Sequence, residues 1–105
     1  MNGQSFTFHG YLPIKPAERG AKIREIESRS MTGETQIFME TPYRNMKLFK
    51  DLVSICKGTT MLCIAAGITL NEEFIVSRSI KEWRTRVPEL DRIPSIFVLN
   101  AQSEK

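Results

Sequence analysis

The hydrophobic positions of this chain recur with two different periods. In some stretches apolar and polar residues alternate, or apolar residues follow one another, which is typical of β-strands. In others the apolar residues recur every three or four positions, which indicates α-helices. The predicted strands are Ser5–His9, Thr35–Met39, Thr59–Ala66, Glu73–Ser79 and Pro94–Ala101. The predicted helices are Ala17–Arg29, Tyr43–Lys57 and Ile80–Arg86.

Residues at the ends of these stretches support the assignment. Pro16 can occupy the first position of the first helix, where its missing N–H is harmless. Thr41 followed by Pro42 is a typical N-cap and first-position pair for the second helix. Trp83 lies in the short third helix, where we expect it to cover the sheet or to lie at a subunit interface.

The alternation of strands and helices predicts an α/β fold. We expect a mixed, mostly parallel five-stranded sheet flanked by helices, with the third strand buried on both faces and the fourth as its hairpin partner. Ligands of such sheets bind beyond the carboxyl ends of the strands. A functional site should therefore be sought in the loops Gly10–Pro16, Glu40–Arg44 and Ala66–Asn71.

Composition narrows the class of protein. The chain has 105 residues, of which 41% are hydrophobic and 26% charged, a balance typical of one folded domain rather than a disordered chain. This length excludes a large two-domain enzyme within the chain. No apolar run approaches the roughly 18 residues of a membrane span. The net charge of +3 permits RNA or anionic ligands without requiring them.

The cysteines and the histidine do not suggest a metal site. Cys56 and Cys63 lie in apolar surroundings, and His9, the single histidine, is distant in sequence. A structural zinc site normally needs four such ligands, so we predict no metal. Free thiols in apolar surroundings are typical of a reducing compartment, and we expect a cytoplasmic protein with no membrane partner.

Arg44 and Glu40 are the first candidates for ligand binding. Arg44 falls in the first turn of the second predicted helix, where the helix dipole disfavours a cation by about 0.3–1 kcal/mol. A phosphate, a carboxylate ligand or Glu40 across the cap could select it there, or its side chain could bend into solvent. Glu40 could cap the free N–H groups of the helix, or it could bind a ribose hydroxyl or an amine.

The remaining polar side chains do not form a catalytic set. His9 is an acid–base candidate in principle, but no nucleophile is spaced as in a catalytic triad. Tyr11 and Tyr43 could stack on a base, although a tyrosine on a loop is more often packed. The chain has no glycine-rich phosphate loop. The sequence therefore identifies no catalytic residues. Without the help of any resemblance, it predicts only that the loops form one wall of a cleft.

Two segments of the chain resemble motifs of the tetrapyrrole methylase family. Phe6–Pro13 (FTFHGYLP) is similar to its FxFxGFLP segment, and Thr35–Arg44 (TQIFMETPYR) is similar to its TLIFYESPHR segment. Both match best the branch that contains a methyltransferase of small-subunit ribosomal RNA. Leu62–Glu73 lies where that branch carries VAxARELTKxxE, but here Ala65–Leu70 (AAGITL) lacks the charged residues. The resemblance covers nearly the whole chain and only the C-terminal half of the family pattern.

This resemblance implies an S-adenosylmethionine-dependent methyltransferase with two α/β domains, of which residues 1–105 would form the C-terminal one. The cofactor would lie between the domains, and this domain would close over the adenine and complete the substrate trough. The residues implied to bind the cofactor are Met39, Glu40, Ala66, Gly67, Leu99 and Asn100. Those implied to face the substrate are Gly10, Tyr11, Leu12, Pro13 and Arg44.

The resemblance also implies partners for the chain. These are its own N-terminal methyltransferase domain and a second copy in a homodimer, with RNA, a tetrapyrrole or a protein side chain as the methyl acceptor. The isolated chain should be inactive, because methyl transfer depends on positioning and on exclusion of water. One alternative is a stand-alone module that holds RNA or a nucleotide through Arg44, Lys15 and Arg19. Another is a dimerisation module centred on Trp83 and the last strand.

Overall fold

The element order follows the predicted one. The computed structural model describes residues 5–67 and 73–100, so the connector Ile68–Glu72 and the C-terminal Ala101–Lys105 lie outside the described residues. The strands are β1 (Ser5–Tyr11), β2 (Glu34–Met39), β3 (Met61–Ala66), β4 (Phe74–Ser79) and β5 (Ser95–Asn100). The helices are α1 (Pro16–Ser30), α2 (Asn45–Ile55) and α3 (Ile80–Thr85), with a short 3₁₀ helix at Pro42–Arg44.

The helix ends differ in how well the sequence predicts them. Pro16 is the first residue of α1, as predicted. The second helix starts as the 3₁₀ turn and becomes α-helical only at Asn45; Thr41 takes the N-cap position, but its side chain makes no capping bond. In α3, Ser79 and Glu82 form a capping box, which the Ser-x-x-Glu spacing could have predicted.

The sheet is mixed, and the predicted α/β class with five strands is confirmed. The strand order is β1-β2-β5-β3-β4. The prediction of a mostly parallel sheet is wrong, because β5 inserts antiparallel between β2 and β3 and leaves β1–β2 as the parallel pair among the described strands. The strands β1, β2 and β3 still run in the same direction. Their last residues therefore meet at one end of the sheet, which we call the carboxyl end.

The hydrophobic core lies on one face of this sheet. All three helices contribute to a single cluster with the inward residues of β2, β3 and β5. Trp83 is fully buried there, and its indole N–H donates to the Leu62 carbonyl at 2.8 Å. The prediction that Trp83 covers the sheet is therefore confirmed. The alternative, a place at a subunit interface, is wrong because the side chain is fully buried within the chain. The core includes Ile23, Ile26, Phe38, Leu48, Phe49, Leu52, Leu62, Ile64, Ile80, Trp83, Phe97 and Leu99.

The opposite face of the sheet carries no helix among the described residues, and we call it the open face. The prediction that β3 is buried on both faces is wrong: Leu62 and Ile64 are buried, whereas Cys63 is half-buried and Met61 is exposed. Cross-strand pairs place one apolar set on this side of the sheet. Its members are Phe6, Phe8, Tyr11, Ile37, Met39, Met61, Cys63, Ala65, Ile75, Ile96 and Val98.

Both cysteines are free thiols. Burial, reinforced by the nearby Glu27 carboxylate, raises the pKa of the Cys56 thiol to about 12. Cys56 is therefore a packing residue without thiolate chemistry at neutral pH. Within the described ranges, none of the helices has the length and apolar character needed to cross a bilayer.

A polar network joins β1, β2 and α1 far from the carboxyl end. The Glu34 carboxylate accepts hydrogen bonds from Gln36 at 2.9 Å, from Thr7 at 2.8 Å and from Arg29 at 2.9 Å. These hydrogen bonds, with the Arg29 charge, lower the pKa of Glu34 from its ordinary 4.5 to about 2. The network fixes the start of β2 against its two neighbours.

The depressed pKa of Glu34 predicts a specific acid sensitivity. The stabilisation by its carboxylate is fully present above pH 4.5 and is lost as the pH falls through about 2, because the group then binds a proton in the folded chain too. The advantage in unfolding free energy of the wild type over Glu34→Gln should shrink across that window. Urea unfolding at a series of pH values measures the difference, and a Glu34 carboxyl that titrates near 4.5 by NMR would contradict it.

Candidate functional site

The carboxyl end of the sheet brings together most of the predicted site. Tyr11 at the end of β1 pairs in register with Met39 at the end of β2. Met39 pairs with Ile96, which pairs in turn with Ala65. Met39 and Ala65 are therefore two strand spacings apart, about 10 Å. The described residues that follow β1 and β2, and Gly67 after β3, therefore lie at the same end of the sheet, as predicted.

Leu99 and Asn100 do not join this group. Leu99 pairs with Gln36 and Leu62, and Asn100 pairs with Met61, so both lie toward the opposite end of the sheet. The cause is the direction of β5, which begins rather than ends at the carboxyl end. The three residue steps from Ile96 to Leu99 alone span about 10 Å of strand.

A buried ion network holds the loops of the carboxyl end. Arg19 of α1 donates from Nη1 to the Glu40 carboxylate at 2.8 Å and from Nε to the Asp51 carboxylate of α2 at 2.7 Å. Its Nη1 also donates to the Pro13 carbonyl at 2.9 Å. The side chains of Arg19 and Glu40 are each only 3% exposed. One guanidinium thus ties the β1–α1 loop and the end of β2 to both long helices.

Glu40 is occupied by this network. Its second carboxylate oxygen accepts the backbone N–H of Thr41 at 2.9 Å. Thr41 is the residue before the 3₁₀ turn, so this bond fixes the entry to the turn and is not made to an N–H group of the helix itself. Arg44 does not pair with Glu40. Its guanidinium instead lies 6.0 Å from the centre of the Tyr43 ring, and the side chain is half-buried.

The structural role of Arg19 was not predicted from the sequence, where this residue was named only in the alternative of a stand-alone module that holds RNA or a nucleotide. A signal was present, because Arg19 lies four positions before Ile23 and seven before Ile26, on the apolar stripe of α1. A charged residue on such a stripe requires a buried partner. The buried position of Arg19 removes it from any surface that could bind RNA.

Three buried polar atoms near this network have no partner among the described residues: Arg19 Nη2, Thr41 Oγ1 and Asn45 Oδ1. All three lie on residues at or beside the junction of β2 and α2. Buried atoms without a partner are rare, and ordered water is the ordinary explanation. A cavity of about 80 Å³ borders Arg19 and has room for water. It is lined by Ile14, Pro16, Arg19, Gly20, Lys47, Asp51 and Ile55.

The other predicted residues divide into buried and accessible ones. The side chains of Leu12 and Ala66 are buried in the core, and Gly67 is buried with its N–H donated to the Pro94 carbonyl at 2.9 Å. Gly10, at the irregularity within β1, and Gly67, just after β3, both have φ near +70°, a conformation that favours glycine.

Among the predicted site residues at the ends of β1 and β2, the side chains of Tyr11 and Met39 are accessible. They lie side by side at the border between the carboxyl end and the open face, Tyr11 exposed and Met39 half-buried. A tyrosine ring and a polarizable thioether suit contact with a flat ring. Pro13 is half-buried beside them. These side chains can hold and orient a ligand. Among the described residues, no acid–base pair lies beside them.

His9 is not part of this surface. Its Nε2 lies 2.6 Å from Gln36 Oε1, and Gln36 is fully buried. This contact with the amide of Gln36 does not support the predicted role of His9 as an acid or base. The segment Ile68–Glu72, which carries much of the third family-like stretch, lies outside the described residues.

Comparison with known proteins gives one relative in sequence. No protein-family model matches the chain. The chain is 32% identical over 91 residues to the ribosomal RNA small subunit methyltransferase I of Vibrio cholerae serotype O1. The match covers 87% of this chain and 31% of the relative, so the chain spans less than a third of that protein's length.

Solved methyltransferases share the fold. The methyltransferase CobJ superposes with a TM-score of 0.55 at 16% identity, over 98% of this chain and 44% of its own. The uroporphyrin-III C-methyltransferase of Thermus thermophilus, solved with S-adenosylhomocysteine, gives 0.54 at 13% identity, over 95% and 44%. The predicted resemblance to the tetrapyrrole methylase family is thereby confirmed.

The buried ion network predicts a large cost for removing one charge. In Glu40→Gln, Arg19 keeps its charge in the interior with one carboxylate fewer, which should lower the unfolding free energy by about 3 kcal/mol. The matched control is Glu25→Gln, whose exposed pairs with Lys22 and Arg29 should be worth about 1 kcal/mol or less. Urea unfolding measures both.

A double variant separates the unpaired charge from a general packing defect. Arg19→Met combined with Glu40→Gln removes both charges of the buried pair and should recover part of the stability lost in the single variant. Equal losses in Glu40→Gln and Glu25→Gln would show that the Arg19–Glu40 pair does not hold these loops.

Proposed function

Starting from its likeness to the tetrapyrrole methylase family, we propose that this chain is the C-terminal domain of an S-adenosylmethionine-dependent methyltransferase. The observation that carries the proposal is that the strands within both family-like segments, Phe6–Pro13 and Thr35–Arg44, end side by side at the carboxyl end, where Tyr11 pairs with Met39. The N-terminal domain that holds most of the cofactor is proposed as its partner, since the chain spans under a third of its curated relative.

Met39 and Gly67 fit the role of closing a cofactor cleft. Met39 offers a half-buried apolar surface for the adenine, and Gly67 offers backbone in a conformation without a side chain in the way. Tyr11 and Pro13 lie on the side where we place the substrate trough. We assign Glu40 a positioning role through Arg19 rather than a direct contact, since its carboxylate is buried and fully paired.

In the proposed reaction a bond from the methyl carbon to the acceptor forms as the bond from that carbon to the sulfonium sulfur breaks. When bound, S-adenosylmethionine supplies that methyl group as an electrophile. The chain's own contribution is to hold the two reactants in line and to exclude water from between them. Such a role needs rigid, mostly apolar walls, and the ion network around Arg19 supplies that rigidity.

RNA is the acceptor we favour. The relative found by sequence is a ribosomal RNA methyltransferase at 32% identity, whereas the two solved structures are at most 16% identical to this chain. Lys15 and Arg44 remain as cations near the carboxyl end, while Arg19 is withdrawn into the interior. We further propose a cytoplasmic homodimer.

Cofactor binding can be tested on the methionine methyl groups. Addition of S-adenosylhomocysteine to the intact protein, which includes the N-terminal domain proposed to hold most of the cofactor, should shift the methyl resonance of Met39, because this thioether borders the proposed adenine site. The methyl of Met31, which is exposed after α1, is the internal control and should not move. Met39→Asp should abolish the shifts that S-adenosylhomocysteine causes in the other resonances of the protein, whereas Met31→Asp should leave those shifts unchanged. Titration without any change at Met39 would contradict the cofactor role.

Activity is a separate measurement. The isolated chain should transfer no methyl group from labelled S-adenosylmethionine to ribosomal RNA, because the described residues provide one wall of the cleft only. Methyl transfer by the 105-residue chain alone would overturn the two-domain proposal.

A further inference from the structure

Tyr43 is an aromatic residue that the fold leaves exposed, on the 3₁₀ turn just before α2. Its side chain is 68% exposed, so packing within the chain does not account for it. The guanidinium of Arg44 lies 6.0 Å from the centre of the Tyr43 ring. The 3₁₀ turn and the first turn of α2 contain no carboxylate to neutralise this charge. The pair therefore presents an aromatic surface next to a positive charge.

The turn before β5, which spans Leu90–Ile93, brings a second arginine to the same place. The backbone N–H of Arg92 in this turn donates to the Pro42 carbonyl at 3.2 Å. The buried side chain of Asn45 donates to the Leu90 and Ile93 carbonyls at 3.2 and 2.5 Å, and so fixes both ends of the turn against the start of α2. The two segments therefore form one patch, whose members are Tyr43, Arg44 and Arg92.

Arg92 has a backbone conformation that the fold alone does not favour. Its φ is +63°, and in the described part of the chain it is the single residue other than glycine with a positive φ. A positive φ at the third of four turn residues is typical of a type II turn, where glycine or asparagine is less strained. The side chain does not offset this cost, because it is 81% exposed and the exposed Asp91 carboxylate lies 4.0 Å away. An arginine kept in a strained conformation without packing indicates a function for its side chain.

We propose that this patch binds an unpaired nucleotide of the RNA beside the methyl acceptor. A base stacks on the Tyr43 ring, and Arg44 and Arg92 contact the adjoining phosphates. Aromatic rings bind bases of any sequence through their faces, and the guanidinium group matches phosphate with two parallel N–H donors. The bases of a duplex are stacked on each other and leave no face for the tyrosine. An acidic peptide would use the two cations but would leave the ring without a partner.

This inference rests on the proposed function, in which RNA is the methyl acceptor, and it assigns contacts to nucleotides other than the methylated one. The patch lies at the same end of the sheet as Tyr11 and Met39, because β5 begins at that end. Its test measures RNA binding without cofactor. Loss of the patch contacts while RNA still binds is therefore distinguishable from a failure of RNA as the acceptor.

The stacking contact is tested with the intact protein and a short, labelled single-stranded RNA, by fluorescence anisotropy. Tyr43→Leu keeps an apolar side chain but removes the ring, and it should raise the dissociation constant by at least about fivefold. Tyr43→Phe keeps the ring without the hydroxyl, and it should bind the RNA as the wild type does. A duplex of the same sequence should bind equally to the wild type and to Tyr43→Leu.

The phosphate contact is tested with Arg92→Gly, which removes the guanidinium and relieves the strained φ. The slope of log binding constant against log salt should fall by about 0.7, as expected for one phosphate contact fewer on a single strand. The urea midpoint should be unchanged or higher. Lys81→Gln is the matched control, since it removes an exposed cation at the opposite end of the sheet and should leave the slope unchanged. Arg92→Asn, which also tolerates a positive φ, replaces Arg92→Gly if circular dichroism shows that the glycine variant does not fold.

The proposal is overturned if Tyr43→Leu binds the single strand as tightly as the wild type does, or if Arg92→Gly and Lys81→Gln lower the salt slope equally. It is also overturned if a poly-glutamate peptide binds the intact protein and loses affinity in Tyr43→Leu as RNA does, which would assign the patch to an acidic protein partner. A wild type that binds no RNA would overturn both this inference and the assignment of RNA as the acceptor.

Discussion

One-sided burial is the constraint on which the rest of this structure depends. All three helices pack against the same face of the sheet, and the core contains the inward residues of β2, β3 and β5 together with Trp83. A domain of this size has apolar surface for about one such layer, and among the described residues the opposite face carries no helix. The helices leave the carboxyl end accessible, and the open face adjoins it directly along the row that contains Tyr11 and Met39.

The guanidinium of Arg19 is buried in the interior, where it holds three segments of the chain together. Arg19 bonds to Glu40, Asp51 and the Pro13 carbonyl, and each partner lies on a different segment. Burial of a charge is costly, and a well-packed apolar replacement is often equally stable. The geometry explains its presence better than stability does: apolar packing could not fix the direction of Glu40 and Pro13, and these residues belong to the loops at the proposed cleft wall.

Much of the fold could be predicted from the sequence. The order of elements depends on local periodicity, and every predicted strand and helix is found within a few residues. The order of strands could not be predicted, because periodicity does not say that β5 inserts between β2 and β3. That single pairing accounts for the wrong proportion of parallel strands and for the separation of Leu99 and Asn100 from the rest of the predicted site.

The site shows the same division between local and long-range information. Gly10, Tyr11 and Met39 were found because a short motif fixes each of them relative to its own strand. The role of Arg19 depends on Glu40 and Asp51, which are 21 and 32 positions away in sequence, and only packing brings them together. Local motifs therefore predicted which residues lie at the carboxyl end, while the interactions that hold these residues in place emerge only from the fold. A ligand at Tyr11 and Met39 would consequently sense changes made at Arg19, although it does not touch that residue.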